Sequence, residues 1–434
     1  MALGGGMFLG EGKTLPGAYV NFVSLAKAGA SLSERGTAAF ALNLDWGVED
    51  EVFTVTSEDF AERSLPLFGY GYSDVKLKGL RDLFRNIKTL YAFRPGGGAK
   101  SRCDYAEARH AGTRGDDLRV VVGENAEEPG LFDVKLLLGG REVFSQTVSS
   151  AGELRDNDFA VWNKDAELCL TAGTAFHGGE NGADDICGYQ AFLEKIENYP
   201  VNAVGVVSEQ RAVNALFADY ARRMRDDAGV KLQCVVYDYD ADYEGVVNVK
   251  NPAVGDGESA AAAVFWVTGV IAGCAINKSN LNRVYDGEHE IFADYTQKEL
   301  ENAIKSGKFT LHKVGSSLRV LADINSLVTV SDDKGEAFKN NQTVRVVDQI
   351  AGDIAALFNA KYLGSVPNDE SGRTSLWADI VKHHEELARN RAIEDFSDED
   401  VEVLRGGDKR AVTVVDRINV VNAMAQVYMT CVIA

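Results

Sequence analysis

At 434 residues, 45% of them hydrophobic and 25% charged, the chain has the material for about three globular domains. Its formal net charge of −20 argues against a general nucleic-acid binder and against attachment to anionic membranes. Six cysteines (103, 169, 187, 234, 274 and 431) without a CxxC pair fit free thiols in a reducing compartment.

The beginning, MALGGGMFLGEGK, lacks the basic and continuous apolar parts of a secretory signal. Residues 1–15 are Gly-rich and read as a flexible arm. Pro16-Gly17 marks a turn, and residues 18–23 alternate as a strand. Strands are expected at 51–56 and 88–93, with a helix at 74–86 between them. From 103 to 168 the short runs at 118–122, 132–138 and 142–148 are all β in character. Gly139-Gly140 supplies a hairpin turn between the last two.

An α/β pattern then takes over. A strand at 201–207, a helix from Ser208 to about Ala228 and a strand at 230–237 imply a right-handed parallel crossover. The longest apolar run, 260–276, has 17 residues. That is shorter than the roughly 20 a membrane span needs, so it is expected to be a buried helix rather than an inserted one. A helix at 297–306 and strands at 309–314, 318–322 and 327–330 follow. Two more helices are expected, at 342–359 and about 375–390. Residues 394–402 hold six acids in nine positions, which suits a solvated turn or an electrostatic contact. Strands at 410–416 and 427–433 close the chain.

Familiar chemistry fails on spacing. Gly12-Lys13-Thr14 has Met7 where a phosphate loop needs glycine, and Pro16-Gly17 follows instead of a helix. Asp238-x-Asp240-x-Asp242 has Tyr243 and Val249 where a calcium loop needs Gly and Glu. His384 begins an HExxH only if position 388 is His, and it is Ala388; His384 also falls on the apolar stripe of its helix. The Gly-rich stretch 178–182 lacks dinucleotide spacing, and no nucleophile elbow occurs. No catalytic residue, cofactor or metal site is assigned.

What remains are two terminal strands beside flexible connections. An apolar strand on a tether is suited to joining a neighbour's sheet edge. The candidate arms are Tyr19, Val20, Asn21, Phe22 and Val23 at one end and Val427, Tyr428, Met429, Thr430, Val432 and Ile433 at the other. Val412, Val414 and Val415 are the candidate acceptor strand.

Several stretches resemble the contractile tail sheath proteins of myophages and R-type bacteriocins. They are 16–22 (PGAYVNF), 111–117 (AGTRGDD), 132–139, 153–159 (ELRDNDF), the helix around 348–358, and the ending 421–424 with 427–430. The resemblance covers nearly the whole chain; the Gly-rich beginning and Cys431 depart from it. It implies a multidomain α/β (α+β overall) fold with a mixed-sheet core, an inserted β domain and β arms that augment neighbouring subunits.

The expected organisation is an arm at 1–23, a core of 24–102 with 169–335, an outward insertion at 103–168, a tube-proximal domain at 336–416 and an arm at 417–434. The resemblance further implies rings of self-associated subunits around a tail tube, with baseplate and tail terminator proteins as partners. No nucleotide drives contraction. The particle is a virion or phage-tail-like particle made in the bacterial cytoplasm. Arg345, Asp348 and Asp353 are the candidate tube-facing residues of the 342–359 helix. A cytoplasmic α/β enzyme and a non-contractile capsid or tube component are the competing classes.

Overall fold

A computed structural model describes residues 32–433, so the expected strand at 18–23 and Gly12-Lys13-Thr14 lie outside the described residues. The fold is mixed α/β and contains several sheets. The chain separates into two compact units. Of the described residues, one holds 39–78 and 89–197; the other holds 32–38, 79–88 and 198–433.

To residue 197 the chain forms β1 (Thr37–Ala41), β2 (Val52–Thr56), α1 (Ser57–Phe68), α2 (Lys78–Phe84), β3 (Thr89–Phe93) and β4 (Ala106–Ala108). These are followed by β5 (Leu118–Glu124), β6 (Phe132–Leu138), β7 (Arg141–Val148), β8 (Ala160–Trp162), β9 (Thr171–Ala175) and α3 (Ile186–Ile196). The 39–197 unit is built on the antiparallel order β7-β6-β5-β9. Period-two alternation turns Leu118, Val120 and Val122 inward with Val134, Leu136 and Leu138, against Trp46, Trp162 and Phe176. The expected β runs and the Gly139-Gly140 turn are present. The sheet also takes β9, beyond the expected boundary at 168.

The Gly-rich 178–182 stretch has a packing explanation. Ala99 and Glu180 exchange main-chain hydrogen bonds at 3.0 Å. A Cβ on Gly179 or Gly182 would drive into the carbonyls of Gly112 or Gly96. The glycines let backbones cross closely.

From residue 198 the elements are β10 (Ala203–Gly205), α4 (Arg211–Arg222), β11 (Gln233–Tyr237), β12 (Val246–Val249), α5 (Ala263–Gly273), α6 (Gln297–Lys305) and β13 (Lys308–Phe309). Then come β14 (Leu311–Val314), β15 (Ser317–Val320), α7 (Asn341–Leu357), α8 (Glu370–Arg389), β16 (Ile393–Glu394), β17 (Val401–Arg405), β18 (Val412–Asp416) and β19 (Asn419–Val420). β10, β11, β12 and β13 pair in parallel, as the strand–helix–strand pattern requires. α5 lies within the apolar run 260–276 and is buried on nearly every side. No helix among the described residues is long and apolar enough to cross a membrane.

Three local expectations fail for identifiable reasons. Residues 327–330 form no strand; Val328 and Thr329 instead donate their N–H groups to Asp242 Oδ1 at 2.6 and 2.9 Å. The helix expected from Ser208 starts instead at Arg211, with Gln210 in the cap position; the Ser208 hydroxyl accepts from the Gln210 N–H. Residues 427–433 belong to no strand, since nothing among the described residues pairs with them.

Candidate assembly interface

Residues 401–433 carry the features that point outward. β17 and β18 form a two-stranded antiparallel hairpin, Val401 opposite Asp416 through Arg405 opposite Val412. The pleat turns Val412, Val414 and Asp416 toward α8 and Thr413 and Val415 away from it. On the α8 side, Val401 and Val412 pack with Leu376, Ile380 and Trp377. Asp416 Oδ2 meets His384 Nε2 at 2.8 Å. Each strand has one ladder edge with no strand beside it among the described residues, the condition in which a further strand can be added. Leu404, Val414 and Val415 are 51%, 38% and 36% exposed. A mostly apolar groove of about 520 Å³, lined by Phe358, Leu363, Val366, Pro367 and Val412, lies beside the start of β18.

Beyond Ala423 every described residue is exposed. Met424, Val427, Tyr428, Met429, Val432 and Ile433 are 80–98% accessible. Apolar side chains in such a continuous row mark an interaction segment rather than a solvated end.

The chain between hairpin and tail is not the loose tether that the polar sequence after Asp416 suggests. Arg417 N–H donates to Asp400 O at 3.1 Å. Ile418 and Val420 pack beside Ile393, and β19 pairs with β16. Val421 N–H donates to Ala392 O at 3.0 Å. The free segment therefore begins near Met424.

The three helix residues expected to face the tube point inward instead. Arg345 is 1% exposed and donates to Lys278 O at 2.9 Å and to Asp323 Oδ2 at 3.4 Å. Asp348 receives a bidentate Arg225 at 2.6 and 2.7 Å, with both side chains more than nine-tenths buried. Burial opposes the Arg225 charge, but Asp348 more than offsets it and the guanidinium pKa is raised. Asp353 is 8% exposed and meets His383 Nε2 at 3.0 Å. A carboxylate on the inner stripe of a helix reads in sequence like one on its outer face when the partner lies far away in the chain. This is why burial was not visible from 342–359 alone.

Other polar groups have local roles. Lys308 bridges Asp238 and Asp240, and Asn248 Nδ2 donates to Asp240. These acids occupy a loop after β11, as expected. His384 is fully buried on its helix and bonds Ile380 O at 2.9 Å. Within 394–402, Asp400 closes a capping box with Ser397, leaving a tight acidic turn before β17. Among the described residues no group of three or more His, Cys, Asp and Glu side chains could hold a metal ion.

An open-edged hairpin, an exposed apolar tail and polar clusters committed to holding the fold together define a structural subunit. The known proteins that this chain resembles agree. Profiles of the phage tail sheath protein beta-sandwich domain, the central domain and the C-terminal domain match residues 96–181, 183–326 and 333–434. The Phage-like element PBSX protein XkdK of Bacillus subtilis is 29% identical, over 94% of each chain. A sheath tail protein from Desulfitobacterium hafniense is 31% identical with a TM-score of 0.82, over 94% of this chain and 98% of that one. The fold also matches the contracted helical sheath of the anti-feeding prophage at 12% identity, with a TM-score of 0.59 over 97% and 99% of the two chains. This chain belongs to the phage tail sheath family and is a structural subunit of a contractile tail sheath.

Proposed function

We propose that subunits stack as rings around a tail tube, joined by strands donated between neighbours, and that the joined lattice shortens to drive the tube through a target envelope. The observation that carries this is the row of exposed apolar residues beyond Ala423. The segment with Val427, Tyr428, Met429, Thr430, Val432 and Ile433 is the donor. The edge of the Val412–Asp416 strand, including Val414 and Val415, is the acceptor. Tyr19, Val20, Asn21, Phe22 and Val23 form a companion donor. Strand addition satisfies main-chain groups and lets alternate side chains set register.

Subunit rotation during contraction is a rigid-body change around strands that stay paired. It runs downhill because the shortened lattice holds its subunits more tightly than the extended one, with no catalysis or nucleotide. Baseplate and terminator proteins meet the two ends of the stack, in a virion or phage-tail-like particle made in a bacterial cytoplasm. A tube contact from the C-terminal region falls to residues other than Arg345, Asp348 and Asp353, which are committed inside the chain.

Removing residues 424–434 tests the donor. The expected product is a folded, monodisperse protein with the parent's melting temperature that forms no sheath by negative-stain microscopy. Long sheaths from the truncated protein would refute the reading.

A further inference from the structure

We infer that a clamp of Gln342, Thr343 and Asn422 at the start of α7 fixes where the C-terminal segment starts to pivot. The inference rests on the donor-strand reading above. Gln342 is 2% exposed and grips the main chain on both sides of Asn422. Its Nε2 donates to Val421 O at 3.1 Å and its Oε1 accepts from Ala423 N–H at 3.0 Å. Thr343, 4% exposed, accepts from Asn422 Nδ2 at 3.1 Å through its hydroxyl. A side-chain amide used this way imitates a strand neighbour and ends at a defined residue.

The same helical turn is anchored from behind. Asn341 is fully buried; its Nδ2 donates to Asp323 Oδ1 at 3.1 Å and its Oδ1 accepts from Gln233 Nε2 at 2.9 Å. Gln233 lies in β11, so the clamp is tied to the parallel sheet. Further along α7, Asp353 Oδ1 accepts from Ser33 N–H at 3.3 Å and Gln349 Nε2 donates to Ser33 O at 3.3 Å. Ser33 lies near the start of the described chain. Gln342 and Gln349 are seven positions apart, about 10 Å along one face of a helix. One rigid element thus holds Ser33 and the main chain at 421–423.

Eleven residues beyond the clamp reach at most about 35–40 Å when extended. Releasing 422–423 would lengthen that reach and dilute the strand around its acceptor, weakening intersubunit pairing. The clamp is therefore a positioning device for assembly rather than a support of the protomer core.

Asn422 is exposed, so Asn422→Ala leaves folding untouched; Thr343→Val removes the hydroxyl at constant shape and Thr343→Ser restores it. In full-length protomers, N422A and T343V should speed amide exchange of residues 421–423 roughly five- to tenfold, the scale of one lost hydrogen bond. They should raise the critical concentration for sheath assembly several-fold with an unchanged melting temperature, and T343S should behave as the parent. Unchanged exchange, or faster exchange with parental assembly, would overturn the clamp. The 424–434 deletion separates the two ideas. If it blocks assembly while the clamp variants do not, only the clamp falls; if it assembles, the donor reading falls.

Discussion

Arg225 and Asp348 show how the central and C-terminal segments of one unit are fastened. Arg225 follows α4 and Asp348 sits in the second turn of α7, 123 residues later, yet they meet in a buried bidentate pair. Such a pair contributes little over an apolar substitute, but breaking it leaves one charge stranded in a dry site. Asp348→Ala should destabilise the protomer by about 3–5 kcal/mol. The double change Arg225→Met with Asp348→Leu should recover most of that loss. Urea unfolding of the single and double variants measures both. A single variant as stable as the parent would mean the pair is not dry in solution.

At the scale of elements, the donor segment is close to energetic balance on its own. Burying six apolar side chains gains on the order of 10–15 kcal/mol gross. Ordering some ten backbone residues costs a similar amount. In the proposed donor reading one arm therefore binds weakly, and the lattice holds through many joined at once. In an added edge strand, alternate N–H groups point to the acceptor and the others point away. Proline at Tyr428 or at Met429 should consequently have unequal effects, one blocking sheath formation and the other tolerated. Both residues are at least 80% exposed, so neither change alters protomer stability. Pelleting assays on both variants report the register, and two harmless prolines would rule out main-chain pairing there.

The same scale shows how much was readable in advance. β5, β6 and β7 follow from strict alternation and a Gly-Gly turn, and α7 and α8 from long 3.6-residue stripes. α1 was not expected: Pro66 lies inside it and Arg63 leaves helical geometry, so its period is broken. β4, β8 and β9 are short or Gly-containing strands whose existence depends on pairing rather than propensity. The β18 strand was visible as a β-branched run. The clamp was not, because Gln342, Thr343 and Asn422 are ordinary polar residues whose meaning comes from partners about 80 positions away.

For the whole molecule, the charge of −20 sets the conditions of assembly. Like-charged protomers repel over about 30 Å at 0.01 M salt and about 8 Å at 0.15 M. Apolar strand pairing is insensitive to that range, so screening should favour polymer. Light scattering should show the critical concentration falling by at least severalfold between those salt levels. A rise would mean that intersubunit ion pairs, and not strand addition, dominate the lattice.

In the proposed donor reading, the C-terminal segment is a strand to be given and an open edge of the β17–β18 hairpin is a place to receive one. Such a unit has polarity, and a chain of them has two chemically different ends: one with a vacant edge, one with an unspent strand. Growth at the two ends therefore answers to different caps. On that reading a copy lacking its tail can receive at the C-terminal joint but not give there, so at that joint it acts as a one-sided stopper. Sheath length then becomes a matter of dose, set by the proportion of stoppers and not by the affinity of any single joint.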